Sequence, residues 1–203
     1  MRIIAGRFRS RVLTAPPGMS TRPTSDRLRE TLFNVIAPRI EGANFLDLYA
    51  GSGAVGIEAT SRGAARVAFV ERDAAAVRVV RENLQRLGIL NGFRMHAGSV
   101  KTFLRLSAGG SSRTVLYNLV FLDPPYDADV EYANTLALLG GSGAAHLTPD
   151  ALVIAEHRRK QPPEERYRSL RRTRLLEQGD AALSFYALGA GDAGQNWPDK
   201  TEF

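Results

Sequence analysis

The sequence has no cysteine, few histidines and no apolar run of bilayer length. Without cysteine there are no disulfides, thiolate metal sites or cysteine nucleophiles, and nothing argues for an oxidising compartment. His96, His146 and His157 lack the i, i+4 spacing typical of a metal site on a helix. No segment approaches the roughly 20 apolar residues that a membrane-spanning helix needs. We therefore expect a cytoplasmic protein that binds neither a membrane nor a metal.

Lysine is also scarce, because 24 of the 27 basic residues are arginine. The net charge of +6 is unevenly distributed along the chain. Residues 1–30 hold seven arginines against Asp26 and Glu30, and residues 158–174 hold eight basic residues against Glu164 and Glu165. A general preference for arginine over lysine would explain the type of these basic residues, but it would not explain why they cluster in two segments. The two basic segments indicate a polyanion-binding surface beside a neutral catalytic core.

The pattern of apolar residues divides the chain into three regions. In residues 1–42 we predict an N-terminal extension, with strands at Arg2–Ala5 and Arg9–Leu13 around Gly6 and a helix that starts after Ser25 and stops around residues 38–42. In residues 43–188, short apolar runs alternate with amphipathic stretches, which is typical of βαβ units in a parallel sheet. Residues 189–203 show no periodicity, so we expect a disordered tail.

Within residues 43–188 the predicted elements alternate until the end of the region. The predicted strands are 44–49, 66–71, 93–97, 117–122 and 151–155, and the predicted helices are 54–62, 73–87, 99–106 and 129–139. Two last strands, 172–177 and 181–188, are separated only by Gln178-Gly179-Asp180, a turn too short for a parallel crossover. The sequence therefore predicts an α/β fold whose parallel sheet ends in an antiparallel hairpin.

A glycine-rich loop follows the first strand of this region. Gly51, Gly53 and Gly56 satisfy G-x-G-x-x-G, which lets the backbone turn sharply and approach a ligand. That spacing fits a dinucleotide as well as S-adenosylmethionine. Asp47 favours the latter, because its carboxylate complements a cationic amino group, and Glu71 is suited to accept from ribose hydroxyls in either case. The predicted cofactor-binding residues are Asp47, Tyr49, Ala50, Gly51, Ser52, Gly53, Gly56, Glu71, Arg72, Gly98 and Ser99.

The segment Asp123-Pro124-Pro125-Tyr126 comes directly after a predicted buried strand. In an open parallel sheet this edge faces the ligand crevice. An exocyclic base amine is a poor nucleophile, because its lone pair is delocalised into the ring. The Asp123 carboxylate and the Pro124 carbonyl can each accept one N–H and direct the lone pair at a methyl donor. Pro125 helps to fix the backbone, and Tyr126 offers a ring face for stacking the base.

With both motifs in place, the chain resembles the RsmD family of bacterial methyltransferases from Met1 to about Leu188. The most specific part of the resemblance is the segment from Arg22 to Asn34, which is similar to the family's RPT-x-DR-x-RE-x-LFN pattern. The resemblance implies a class I S-adenosylmethionine-dependent methyltransferase, Rossmann-like in fold. It also implies a reaction at N2 of guanine 966 in 16S rRNA, within the small ribosomal subunit, and we expect the protein to act as a monomer.

The arginine-rich extension supplies candidate RNA contacts, although a solvated basic face is an alternative interpretation. The candidates are Arg2, Arg7, Arg9, Arg22, Thr24, Arg27 and Arg29. The chain departs from the common pattern of this fold at Ser99, where an acidic residue often binds the adenine amino group of the cofactor; Ser99 or backbone groups would replace it here.

Three other functions stay open at this point. The tetrapeptide does not distinguish guanine N2 from adenine N6 in DNA or RNA, although the segment from Arg22 to Asn34 argues against adenine. A nicotinamide-dependent oxidoreductase would share the glycine loop but has no use for the tetrapeptide. A non-catalytic RNA-binding protein with a degenerate site is disfavoured by the intact Asp123.

Overall fold

The structure, a computed structural model, describes residues 1–16, 26–106, 115–124 and 129–189. Its centre is an eight-stranded mixed sheet. The first five strands along the chain are parallel to one another, and the last three extend the sheet in antiparallel orientation. The predicted fold class is therefore confirmed. Among the predicted site residues, Arg22, Thr24, Pro125 and Tyr126 lie outside the described part, as does the proposed tail after residue 189.

The helices and strands follow one another in an alternating order through most of the chain. The helices are α1 (Asp26–Val35), α2 (Ala37–Ile40), α3 (Ala54–Ser61), α4 (Ala74–Arg86), α5 (Val100–Leu106) and α6 (Asp129–Leu139), with a 3₁₀ helix at Ser142–His146. The strands are β1 (Asn44–Leu48), β2 (Arg66–Glu71), β3 (Phe93–Ala97), β4 (Tyr117–Leu122), β5 (Leu147–Arg158), β6 (Arg166–Tyr167), β7 (Leu170–Gln178) and β8 (Ala181–Leu188). Their order in the sheet is β3-β2-β1-β4-β5-β8-β7-β6.

Most of the predicted elements have these bounds to within two residues, and the largest difference is in β5. This strand begins at Leu147 rather than at residue 151, because Tyr117 of β4 pairs with Leu147 before a register shift brings Leu119 opposite Leu152. Neither β6 nor the 3₁₀ helix was predicted, because both are too short to show a periodic pattern of apolar residues. No helix in the described ranges is long and apolar enough to cross a membrane.

The predicted N-terminal helix is divided in two at Ile36. The backbone N–H of Ile36 still bonds to Leu32, but Pro38 has no N–H to continue the ladder. The chain therefore leaves the α1 axis and forms the single turn of α2. The apolar side chains of α1 pack on the sheet as the helical spacing predicted, since Leu28, Leu32 and Phe33 are buried.

The N-terminal hairpin pairs with itself less than the sequence predicted. Its strands share one isolated bridge, between Arg2 and Val12. Three backbone hydrogen bonds also join the two strands, with the carbonyls of Met1, Ile3 and Arg11 as acceptors. The backbone N–H groups of Ile4 and Ala5 donate to the carboxylate of Glu58 on α3, at 2.7 and 3.0 Å. The hairpin is thus attached to α3 as well as paired with itself.

Two apolar cores fill the space on either side of the sheet. One contains Phe45, Phe69 and Phe121 with side chains from the N-terminal hairpin, α1, α3 and α4. The other contains Leu46 and Leu122 with side chains from α5 and α6. Residues before position 43 share this first core with the sheet, so the packing shows no break between residues 1–42 and residues 43–188. The predicted boundary between an extension and a catalytic domain therefore stays a prediction.

Candidate active site

A cleft of about 1210 Å³ opens at the carboxyl ends of β1, β2 and β4, where a parallel sheet binds its ligands. Its walls come from the glycine loop, the starts of α4 and α5, the inner side of α6 and the N-terminal segment. The predicted site residues that line it are Asp47, Tyr49, Ala50, Gly51, Ser52, Glu71, Arg72, Gly98, Ser99, Asp123 and Pro124. The structure therefore brings Asp47 and Asp123, which are 76 residues apart in sequence, into one cavity.

The glycines of the loop have different roles. Gly51 lines the cleft with a left-handed backbone (φ +54°), whereas Gly53 (φ +77°) allows the turn into α3. A Cβ at Gly56 would lie 2.3 Å from the ring of Phe69, so this glycine permits close packing of α3 on the sheet. Neither Gly53 nor Gly56 is among the residues that line the cleft, and their predicted contact with the cofactor stays a prediction. Their conformation and packing explain the residue type without a ligand.

Asp47 lies at the bottom of this loop and is almost fully buried. Burial raises the pKa of its carboxyl to about 8; the hydrogen bond from the Gly56 N–H, at 2.8 Å, opposes this shift, and the neighbouring Glu71 carboxylate adds to it. Near neutral pH Asp47 therefore favours its protonated form, and a cation bound beside it would favour the ionised form.

The stability of the cofactor-free protein should depend on pH through Asp47. In the unfolded chain an aspartate has a pKa of about 4. Since the folded pKa is about 8, the stabilisation from this neutral carboxyl is complete below about pH 4 and is lost as the pH rises toward 8. We expect this group to lower the unfolding free energy by at most about 1.4 kcal/mol per pH unit in that window. Urea unfolding at several pH values should show a flatter dependence for Asp47→Asn, and equal slopes for both proteins would contradict the assignment.

Glu71 and Ser99 already have partners within the protein. The carboxylate of Glu71 accepts the N–H groups of Gly51 and Asp73, both at 2.8 Å, so it fixes the glycine loop to the start of α4. Ser99 accepts the N–H of Thr102 at 3.1 Å and caps α5. Each carboxylate oxygen of Glu71 keeps a further lone pair, whereas the Ser99 hydroxyl also bonds to the Thr102 hydroxyl at 2.8 Å. The predicted contacts of Glu71 with ribose and of Ser99 with adenine stay predictions.

Tyr49 connects the glycine loop to α6. Its hydroxyl contacts Glu131 at 3.0 Å and Thr135 at 2.6 Å, and burial raises its pKa, so the group stays protonated. The backbone of Tyr49 is left-handed (φ +63°), a conformation that costs a non-glycine residue about 1–3 kcal/mol. The two contacts on α6 hold the residue in this conformation, and the glycine-loop pattern gave no indication of them.

Four carboxyl groups share one face of the sheet at its carboxyl edge, and we call them the acidic row. They are Glu71, Asp47, Asp123 and Glu156, each two residues after a side chain of the same apolar core. Asp123 directly follows β4 and is half-buried. Burial, together with the charges of Glu156 and Asp47, raises its pKa well above the ordinary value. Asp123 is thus a carboxyl with a high proton affinity at the wall of the cleft.

The tetrapeptide is described only at Asp123 and Pro124. The hydroxyl of Tyr132 on α6 lies 3.4 Å from the carbonyl oxygen of Pro124 and donates at 2.8 Å to the carbonyl of Glu156. Tyr132 thereby joins the segment after β4 to the end of β5. Glu156 was not predicted as a site residue, although it directly follows the predicted strand 151–155 as Asp123 follows the predicted strand 117–122, and that shared pattern was available to find it.

The arginines predicted to contact RNA differ in the solvent exposure of their side chains. Arg2, Arg7, Arg9 and Arg27 are exposed, as a phosphate contact requires. Arg29 is fully buried, which corrects its assignment as an RNA contact. Its guanidinium donates to the carbonyl of Arg2 at 2.5 Å and to Asp26 at 2.9 Å, so it holds the hairpin to α1.

Several known proteins are similar to this chain in sequence or in three-dimensional structure. The Bacillus subtilis protein YlbH is 36% identical over 186 residues, covering 92% of this chain and 98% of that protein. Ribosomal RNA small subunit methyltransferase D of Escherichia coli is 39% identical over 156 residues, covering 77% and 74%. A solved structure of Escherichia coli yhhF superposes with a TM-score of 0.78 at 33% identity and covers 93% of this chain and 97% of that one.

Sheet order, glycine loop and cleft together define the class of S-adenosylmethionine-dependent methyltransferases. Within this class the chain belongs to the family described as conserved hypothetical protein 95, the RsmD family, whose model matches residues 1–187. The resemblance stated from the motifs is thereby confirmed.

Proposed function

We propose that this protein methylates the exocyclic N2 amine of a guanine in 16S rRNA, guanine 966 by the family resemblance, in the assembling or assembled 30S subunit. The observation that carries the proposal is the position of Asp123 and Pro124 in the same cleft as Asp47 and the glycine loop. A relative that is 39% identical is named ribosomal RNA small subunit methyltransferase D, which supports the ribosomal substrate. We further propose that the protein acts as a monomer in the bacterial cytoplasm, where ribosomes assemble.

The cleft fits S-adenosylmethionine in size and in chemistry. A volume of about 1210 Å³ exceeds what one such molecule needs and leaves room for a base. Asp47 would hold the amino group, the Gly51 backbone permits close approach, and Glu71 is suited to the ribose. When bound, the cofactor supplies an electrophilic methyl group.

The role of Asp123 and Pro124 is to position the acceptor amine. The carboxylate of Asp123 accepts one N–H and the carbonyl of Pro124 accepts the other, which draws the nitrogen out of the ring plane and orients its lone pair. Asp123 acts in its ionised form, which the hydrogen bond from the bound amine would stabilise, and it then takes the proton that the amine loses on methylation. Tyr126 is proposed to stack on the extruded base, and Arg2, Arg7, Arg9, Arg22, Thr24 and Arg27 are proposed to contact RNA.

The test is transfer of labelled methyl groups to small ribosomal subunits from a bacterial strain that lacks the family's enzyme. We expect label in the rRNA of these subunits and, after mass-spectrometric mapping, a single N2-methylguanine. Subunits from the parent strain, which already carry the modification, serve as the control and should take up none. Label in DNA adenine without label in rRNA would show that the substrate assignment is wrong.

A further inference from the structure

The N-terminal segment forms part of the cofactor cleft. Met1, Ala15 and Pro16 line the same cavity as Gly51 and Ser52 of the glycine loop. Ala15 and Pro16 directly follow the arginine-rich hairpin, and we call residues Thr14–Pro16 the strap. A segment that the sequence suggested only for RNA binding therefore lies against the cofactor loop.

The strap is held by Asn83, a residue that neither motif includes. Asn83 lies on the apolar side of α4 and is 1% exposed. Its Oδ1 accepts the N–H of Thr14 at 2.9 Å, and its Nδ2 donates to the carbonyl of Thr14 at 3.0 Å and to the carbonyl of Ser52 at 3.1 Å. One side chain thus pairs with the strap as a neighbouring strand would and also bonds to the cofactor loop.

The rest of the hairpin is attached to α3, which begins directly after the glycine loop. Ser61 accepts the N–H of Phe8 at 2.9 Å and donates to the carbonyl of Ala5 at 2.6 Å. At Gly6 a Cβ would lie 1.9 Å from the carbonyl oxygen of Ser61, so the hairpin backbone sits directly on the helix. The surface that carries exposed Arg7 and Arg9 is therefore tied to both helices that flank the cofactor loop.

We propose that Asn83 is a positioning residue that holds the strap as a wall of the cofactor cleft and thereby couples cofactor binding to RNA binding. The RNA part of the proposal rests on the proposed function. RNA that binds the hairpin stabilises the strap in the arrangement that closes the cleft wall, so it raises cofactor affinity. By thermodynamic reciprocity the cofactor must raise RNA affinity by the same factor.

The experiment compares wild type, Asn83→Ala and a matched control, Gln85→Ala, which removes an exposed side chain from the same helix. S-adenosylhomocysteine is titrated by calorimetry with and without saturating unmethylated small subunits. We expect the subunits to tighten binding at least about fivefold for wild type and control, within the usual range of such coupling. Asn83→Ala should bind the ligand about tenfold more weakly and lose most of the coupling, while its affinity for subunits without ligand stays within about twofold.

A purely structural role for Asn83 would leave the coupling factor unchanged, and that result overturns the proposal, as does wild-type ligand affinity in Asn83→Ala. If Asn83→Ala fails to fold, Asn83→Asp replaces it. Aspartate keeps the acceptor for the Thr14 N–H but has no donor for the carbonyls of Thr14 and Ser52, so the same losses are expected. If no variant, nor wild type, binds the subunits, the RNA assignment and the coupling both fail, whereas the ligand affinities still decide whether Asn83 supports the cofactor wall.

Discussion

Asp123→Ala is expected to lower methyl transfer at least about 100-fold while affinity for S-adenosylhomocysteine changes by less than about threefold. The carboxylate is proposed to accept a hydrogen bond that matters only as the amine pyramidalises, and loss of one such group typically costs two to three orders of magnitude in rate. Stability should not fall, because burial and two neighbouring carboxylates already disfavour the charged form of Asp123. The measurements are single-turnover transfer to small subunits, calorimetric ligand binding and urea unfolding.

Two further variants sharpen this result. Asp123→Asn keeps an acceptor oxygen of the same shape but is a poor proton acceptor, so its rate should lie between those of wild type and Asp123→Ala. Asp150→Ala removes an exposed carboxylate outside the cleft and should match wild type. Loss of ligand binding together with activity in Asp123→Ala would place the residue in the cofactor site, and full activity would remove it from the reaction.

Glu58→Ala is expected to lower the unfolding free energy by about 3–5 kcal/mol. Glu58 is fully buried, accepts the N–H groups of Ile4 and Ala5, and pairs with Arg62 at 2.8 Å. Buried Arg29 lies 4.0 Å away and would lose its nearest carboxylate on α3. Removing one partner of a buried charged network leaves the others desolvated and unpaired, which accounts for the large effect.

Urea unfolding gives the comparison. Glu82→Ala, which removes an exposed glutamate from α4, serves as the control and should change stability by less than about 0.5 kcal/mol. Glu58→Gln keeps one acceptor and should fall between the two. A loss below about 1 kcal/mol for Glu58→Ala would mean that the hairpin is held by its other contacts, above all those with Ser61.

The parallel sheet was predictable because its evidence is local. Apolar runs of strand length alternate with helical stretches, which is typical of a parallel sheet. The last two strands are joined by a three-residue turn, which is too short to connect parallel strands, so they must be antiparallel. The same local reasoning located Asp47 and Asp123, since a polar residue at the end of a buried parallel strand must lie at the ligand edge. The bounds of α4, which has one apolar face, followed from helical spacing for the same reason.

The parts that sequence could not supply depend on contacts between distant residues. Arg29 lies in an arginine-rich segment, which is why it was predicted to contact RNA. In the structure it is buried, because the carbonyl of Arg2 and the carboxylates of Asp26 and Glu58 surround its guanidinium. Gly53 and Gly56 fit a ligand-binding pattern, although the α3 turn and the ring of Phe69 explain them. Asn83 breaks the apolar face of α4, which was a visible signal, but its partners Thr14 and Ser52 are 69 and 31 residues away.

The acidic row also has a consequence for folding fidelity. Its members occupy one face because side chains alternate along each strand, so a slip of β4 by a single residue would turn Asp123 toward the apolar core beneath α5 and α6. The same slip would move Leu122 and Val120 to the opposite face and leave a carboxyl without solvent. The position of Asp123 therefore penalises a misregistered sheet, and the carboxyl groups at the ligand edge and the correct strand register are selected together.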